Sequence, residues 1–259
     1  MSRLAALVAA GLLSFAALVA VVRAEVVQKG GVRVHLDGSI APSKLPRSGS
    51  RGVRVAVETT IAAAKKDTPP QLQRIKLEIN SHGHLNPAGL PRCTVQDIQP
   101  STTQKAMQAC GRALVGKGSF AANVLLGRQA PFPAAGPLYA FNGTYHGHPA
   151  ILAHVYGTEP VPTSFTLPFL IEPAHGSFGT ALVASLPQAT GGAGYVTRLA
   201  LNLGRSFRSR GRSRSYVTAG CPAPKGLTSA IFPFARAVMT FRKGPTVVTT
   251  IDRTCRVRG

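Results

Sequence analysis

The side chains of this chain that could do chemistry are few and scattered. Histidines come closest to grouping at His82 and His84 and at His146 and His148, with His154 a few positions on. On a strand, a His-x-His spacing turns both imidazoles to one face, as a metal site requires. Both pairs enclose a glycine, in Ser81-His82-Gly83-His84 and His146-Gly147-His148-Pro149, so turns are expected there and no metal or cofactor is assigned. The nine acids Glu25, Asp37, Glu58, Asp67, Glu78, Asp97, Glu159, Glu172 and Asp252 stand singly. A glycosidase needs two carboxylates across one bond, and nothing in this spacing pairs any two of them. The chain has no Gly-x-Ser-x-Gly nucleophile elbow and no His-Glu-x-x-His helix. The stretch from Gly111 to Gly118 falls one residue short of a phosphate loop, with Gly118 where Ser or Thr would hold magnesium. A catalytic reading is kept as the alternative: a secreted hydrolase whose site is assembled from dispersed residues, with a histidine-bound metal as one version.

Charge gives a stronger signal. Thirty Lys and Arg face nine acids, for a net charge of +21. Such a field draws phosphate or carboxylate polymers in a salt-dependent way. The densest basic stretch holds Arg205, Arg208, Arg210, Arg212 and Arg214 between two strand-like runs. As a hairpin tip it would present guanidinium forks to an anion, and these five arginines are the candidate anion-binding residues. The competing reading is a solvated loop that holds only counterions. With no Trp and 6% aromatic residues, the stacking platforms of single-strand binders are missing, so no specific nucleic-acid partner is expected. The expected partner is an anionic polymer of the cell envelope. The oligomeric state is not written in the sequence.

The four cysteines, Cys93, Cys110, Cys221 and Cys255, form an even set without Cys-x-x-Cys spacing. That disfavours a zinc ribbon or a thioredoxin-type site and favours two disulfides in an oxidising compartment. Three connectivities are open, and the local one, Cys93 with Cys110 and Cys221 with Cys255, is the expectation. Asn142-Gly143-Thr144 also matches the acceptor pattern for an N-linked glycan.

The start of the chain agrees with export. Arg3 precedes an apolar run from Leu4 to Val22, and Ala24 offers a small side chain before the acidic Glu25. This is the order of a secretory signal, so residues 1–24 read as a leader and the protein as secreted or extracytoplasmic. The run is close to the roughly 20 residues that span a bilayer, so an uncleaved N-terminal anchor is the alternative, and membrane contact is expected only in that case.

The elements that must position these groups are mostly strands. Period-2 alternation in Val32–Leu36, Val53–Val57 and Ile75–Ile79 indicates strands with one buried face. Similar runs recur at 120–126, 138–145, 151–156, 165–171, 178–186, 195–203, 216–218, 235–241 and 247–251, separated by Gly, Pro and Asn turns. The expected fold is all-β, an antiparallel β-sandwich or barrel-like sheet pair, in a single domain over 25–259. One short helix is expected over 101–115, with Ser101 and Gln104 in capping-box positions and Gly116 as its stop.

Several segments also carry a resemblance: Gln99-Pro100-Ser101-Thr102-Thr103 with Cys110, Ala113-Leu114-Val115-Gly116, Gly118-Ser119-Phe120, His154-Val155-Tyr156-Gly157-Thr158, Pro162-Thr163-Ser164-Phe165, Gly220-Cys221-Pro222-Ala223-Pro224-Lys225-Gly226 and Phe232-Pro233-Phe234-Ala235-Arg236. Together they resemble a group of uncharacterised exported proteins of actinobacterial type. The resemblance spans most of the mature chain and implies export, with no assigned activity or ligand.

Overall fold

Val32, Val34 and Leu36 are buried while Arg33 between them is exposed, so the sequence alternation is realised as a strand with one wet face. A computed structural model describes residues 25–65, 68–125, 131–158, 162–186 and 194–258. The expected leader, Leu126, the acids Asp67 and Glu159, and most of the Gly191–Gly194 stretch lie outside the described residues.

In chain order the strands before the helices are β1 (Glu25–Lys29), β2 (Val32–Ala41), β3 (Lys44–Leu45), β4 (Arg51–Gly52), β5 (Arg54–Ala63), β6 (Leu72–Asn80) and β7 (Gly83–Leu85). Two helices follow, α1 (Val95–Ile98) and α2 (Thr103–Cys110), with a 3-10 turn at Gly111–Ala113. Next come β8 (Leu114–Val124), β9 (Phe132–Tyr145), β10 (His148–Gly157), β11 (Thr163–Pro173), β12 (Phe178–Ser185) and β13 (Tyr195–Leu203). The last strands are β14 (Ser206–Ser209), β15 (Arg212–Ser215), β16 (Val217–Ala219), β17 (Ser229–Phe241) and β18 (Thr246–Val257).

One 13-stranded sheet dominates, in the order β1-β2-β5-β13-β8-β9-β10-β11-β12-β6-β17-β18-β3. Its pairings are antiparallel except for the short parallel pair of β18 with β3. The fold is therefore all-β, as the alternation implies, but as one curled sheet rather than two separate ones. Its ends meet, since β1 and β2 lie against β18. Gly30, in the β1–β2 turn, sits so close to Pro245 that an added Cβ would lie 3.2 Å from the proline ring. In place of a ladder between β2 and β18, Arg253 of β18 donates to the Gly38 carbonyl of β2 at 2.5 Å and to the Asp37 carboxylate.

The curl encloses the main apolar core, to which Val34, Leu36, Ile75, Ile151, Leu167, Met239 and Ile251 contribute. One end is covered by a three-stranded sheet, β4-β16-β7, which adds Val217 and Ala219, with the fully buried Tyr216 just before β16. The disulfide Cys221–Cys255 ties the segment after β16 to β18. A second core lies on the outer face, where Ile98 and Ala106 of the helices pack on Phe141, Ala150 and Leu152 of β9 and β10. Because both faces are covered, every residue of β10 from Ala150 to Val155 is buried.

The disulfide Cys93–Cys110 clips α2 to the segment that precedes α1, so both bridges follow the local pairing. The expected short helix is present as α2, with its ends set inside the 101–115 stretch. Thr102 caps α2, its hydroxyl accepting the Lys105 amide, and the helix ends at Cys110. Ser101 instead donates its amide to the Ser164 hydroxyl of β11. Gly116 does not stop the helix. It lies within β8, where a side chain would overlap the Asn202 carbonyl oxygen of β13. No helix among the described residues is long and apolar enough to cross a membrane.

Candidate functional site

The arginine stretch forms the expected hairpin. β14 and β15 pair antiparallel through Phe207 with Arg214, Arg208 with Ser213 and Ser209 with Arg212. Arg210 and Gly211 at the tip both have positive φ, 51° and 74°, the two-residue turn whose twist matches the flanking strands. Residues directly opposite share a face. Arg212 and Arg214 therefore lie on the Phe207 face, Arg208 lies on the other, and Arg210 occupies the tip.

The base of the ribbon is anchored from both strands. Phe207 packs against the main core, and the Tyr216 amide donates to the Arg205 carbonyl at 2.8 Å. Tyr216 itself is fully buried, and burial pushes its phenol well above the ordinary range. The Arg205 guanidinium is turned inward. It donates to the carbonyls of Arg112 at 2.8 Å and Leu114 at 2.6 Å, satisfying groups at the end of the 3-10 turn. No local pattern distinguishes Arg205 from its four neighbours, because its partners lie about ninety positions earlier.

Arg208, Arg210, Arg212 and Arg214 are all exposed, and none is ion-paired to a described acid. The acids instead hold the sheet. Glu58 receives a bidentate fork from Arg198 at 2.6 and 2.9 Å, which lowers its pKa. Glu78, only 3% exposed, is held by Arg236 and by Lys76 at 2.9 Å. The hydrogen bond from Arg236 outweighs desolvation and keeps Glu78 below the usual carboxylate range. Asp97 accepts the Thr94 amide at 2.7 Å in a capping box at the start of α1.

The histidines are dispersed. His82 and His84 are exposed around β7, while His146 stands at the β9–β10 turn with its ring against Tyr145, 4.1 Å between centroids. His154 is 0% exposed between Tyr139 and Thr166 on the neighbouring strands. Neither of its ring nitrogens has a protein partner, and burial lowers its pKa, favouring the neutral ring. Among the described residues, the one convergence of three metal-type side chains is Cys93, Asp97 and Cys110, whose two sulfurs are bonded to each other.

Two further sequence motifs fall on regular structure. Lys117 of the Gly111–Gly118 stretch lies on β8 with its ammonium 5.6 Å from the Tyr139 ring centroid, and Gly116 and Gly118 lie within the same strand, so the stretch does not open a helix N-terminus. Asn142 is 2% exposed and donates to the Pro91 carbonyl at 2.8 Å, which removes its amide from reach of a glycan.

Comparison of the chain with protein-family models, with curated proteins and with solved structures finds no match in any of the three.

Proposed function

We propose that this chain is an exported, non-catalytic β-barrel protein that binds an anionic polymer of the cell envelope through Arg208, Arg210, Arg212 and Arg214. One observation carries the reading: four exposed guanidiniums on a ribbon anchored at its base, without a described acid to neutralise them. Arg212 and Arg214 stand about 7 Å apart on one face, while Arg208 and Arg210 extend the charge to the other face and the tip. That distribution suits a flexible polyanion that can bend around the ribbon, with each guanidinium gripping a phosphate or carboxylate by two hydrogen bonds.

Two disulfides and the absence of free cysteine among the described residues support export into an oxidising compartment. In this reading the leader is cut before Glu25, and a retained anchor is the alternative. Intact mass of non-reduced protein from the medium should fit a chain starting at Glu25 with both bridges formed. A full-length, reduced chain recovered from the cytoplasm would contradict export.

Retention on immobilised anionic wall polymer across a salt gradient tests the site. The triple variant Arg208→Ala, Arg210→Ala, Arg212→Ala should elute at clearly lower salt than the parent. Elution at the same salt would remove the hairpin from the function.

A further inference from the structure

Strand β13 leaves its neighbour β5 abruptly. The two pair as far as Leu203 with Val55, and Gly204, at φ 155°, then turns the chain toward the arginine ribbon. Arg54, one residue before the last rung of that ladder, lies across Gly204, where an added Cβ would stand 2.6 Å from the arginine Cγ. A cleft of about 390 Å³ opens at this departure, between the start of β5, the end of β2 and the first rung of the ribbon, Ser206 with Ser215.

The walls of the cleft define its ligand. Arg54 is exposed, and its guanidinium has no hydrogen bond or ion pair among the described residues. Arg205 commits only Nη1 to the carbonyls of Gly111, Arg112 and Leu114, so its Nε and Nη2, the edge that grips an anion in a bidentate manner, have no partner among the described residues. The Ser206 and Ser215 hydroxyls are likewise uncommitted there, and Ser215 stands over Gly52, where a Cβ would lie 2.1 Å from its Oγ. Ala41 and Pro42, both exposed, add apolar wall, and no Asp or Glu lines the cleft. Cations without acids select an anion. Two hydroxyls beside an apolar wall suit a ring that carries hydroxyls on its edge and C–H groups on its faces. The volume is more than twice the roughly 150 Å³ that holds a benzene ring and falls in the range of small-molecule sites, so a bare phosphate would leave most of it unfilled. Ser206 and Ser215 also share their face of the ribbon with Arg208, about 7 Å further along β14.

We propose that this cleft binds one anionic pyranose, a sugar ring bearing a carboxylate or a phosphate, with the charge on Arg54 and Arg205 and the ring hydroxyls on Ser206 and Ser215. The site rests on the polyanion reading for the polymer that carries the unit, and it makes that polymer an acidic glycan whose chain runs from the cleft onto Arg208.

Calorimetric titration of the full mature protein with glucuronate, glucose 6-phosphate, glucose and inorganic phosphate tests it. At least one of the two acidic sugars should saturate at one per chain, the tighter one telling whether carboxylate or phosphate is the charge, and glucose and inorganic phosphate should each bind at least about tenfold more weakly. Arg54→Gln should weaken the tighter sugar about tenfold or more, and Ser215→Ala about three- to fivefold. Ser206→Trp, a change at an exposed position that fills the cleft, should abolish binding, while Arg74→Gln, which removes a charge elsewhere on the surface, should leave it unchanged. Saturation by neither acidic sugar, glucose or inorganic phosphate bound as tightly as they are, or equal weakening by Arg54→Gln and Arg74→Gln would each overturn the proposal. A lone sugar is too short to span the ribbon. Failure of the titration with polymer retention still dependent on the hairpin arginines therefore strikes the cleft alone, and a saturating sugar with retention indifferent to those arginines strikes the hairpin alone.

Discussion

Arg253 and Asp37 lie 216 positions apart in sequence, and their ion pair joins the last long strand of the sheet to the first long one. Arg253 is 5% exposed and also donates to the Gly38 carbonyl at 2.5 Å and the Asp252 carbonyl at 2.6 Å, so one guanidinium spans the seam of the barrel. A closed ladder would have needed many backbone hydrogen bonds in register. Here one planar fork serves three acceptors where β2 and β18 meet.

Arg253→Met should therefore destabilise the protein by about 2–3 kcal/mol, the scale of lost charge-assisted hydrogen bonds to a buried carbonyl. Arg253→Lys should recover little, because an ammonium cannot reproduce the planar fork. Asp37→Asn should cost less than either, since Asp37 is half exposed and both carbonyl bonds remain. Urea unfolding midpoints at neutral pH give the ranking, and equal effects of Arg253→Met and Asp37→Asn would contradict the seam argument.

Removal of the Cys93–Cys110 bridge should loosen the helical cover without opening the barrel. The bridge closes a 17-residue separation, worth about 3 kcal/mol by the chain-entropy estimate. Hydrogen exchange of the Cys93→Ala, Cys110→Ala variant should speed up over Val95–Cys110 and stay slow in β6 and β17. Uniform acceleration would mean that the helical cover and barrel unfold as one unit.

Acid should weaken the fold in two stages. Burial depresses the His154 pKa below its ordinary 6.5, so the unfolded chain takes up that proton first as pH falls. The stability tied to neutral His154 is complete above about 6.5 and is lost as pH drops through its folded value. Glu78, held down chiefly by the Arg236 hydrogen bond, adds a second loss that begins near its ordinary 4.5 and deepens through its folded value. In His154→Leu the first stage should vanish and the second remain. A first stage of unchanged size in urea midpoints measured between about pH 8 and 3 would clear His154 of the effect.

The all-β class was legible because alternation reports burial directly: Val32, Val34 and Leu36 show in sequence the face they bury in the fold. The arginine hairpin was legible too, since Arg210-Gly211 sits between short runs that pair residue by residue. The short helix falls within the expected stretch, and tertiary contacts trim it at both ends to Thr103–Cys110. Ser101 has the right type for a cap but donates to Ser164, and Leu114 and Val115 look helical yet join β8 because β9 and β13 flank that strand. The inward turn of Arg205 and the pairs Arg253–Asp37, Arg198–Glu58 and Arg236–Glu78 left no local trace. Each joins residues about ninety or more positions apart, and a lone arginine looks the same whether it holds a carbonyl or faces water.

The salt dependence of polyanion binding tests the functional proposal most directly. Binding of the parent to a soluble envelope polyphosphate should weaken linearly on a log–log plot against salt concentration. Substituting Arg208, Arg210, Arg212 and Arg214 by Ala should flatten that slope by up to about four, roughly one per lost contact. A charge-matched variant lacking the exposed Arg33, Arg74, Lys243 and Arg256 should keep the parent slope. Equal flattening in both variants would show that overall charge, and not the ribbon, holds the polymer.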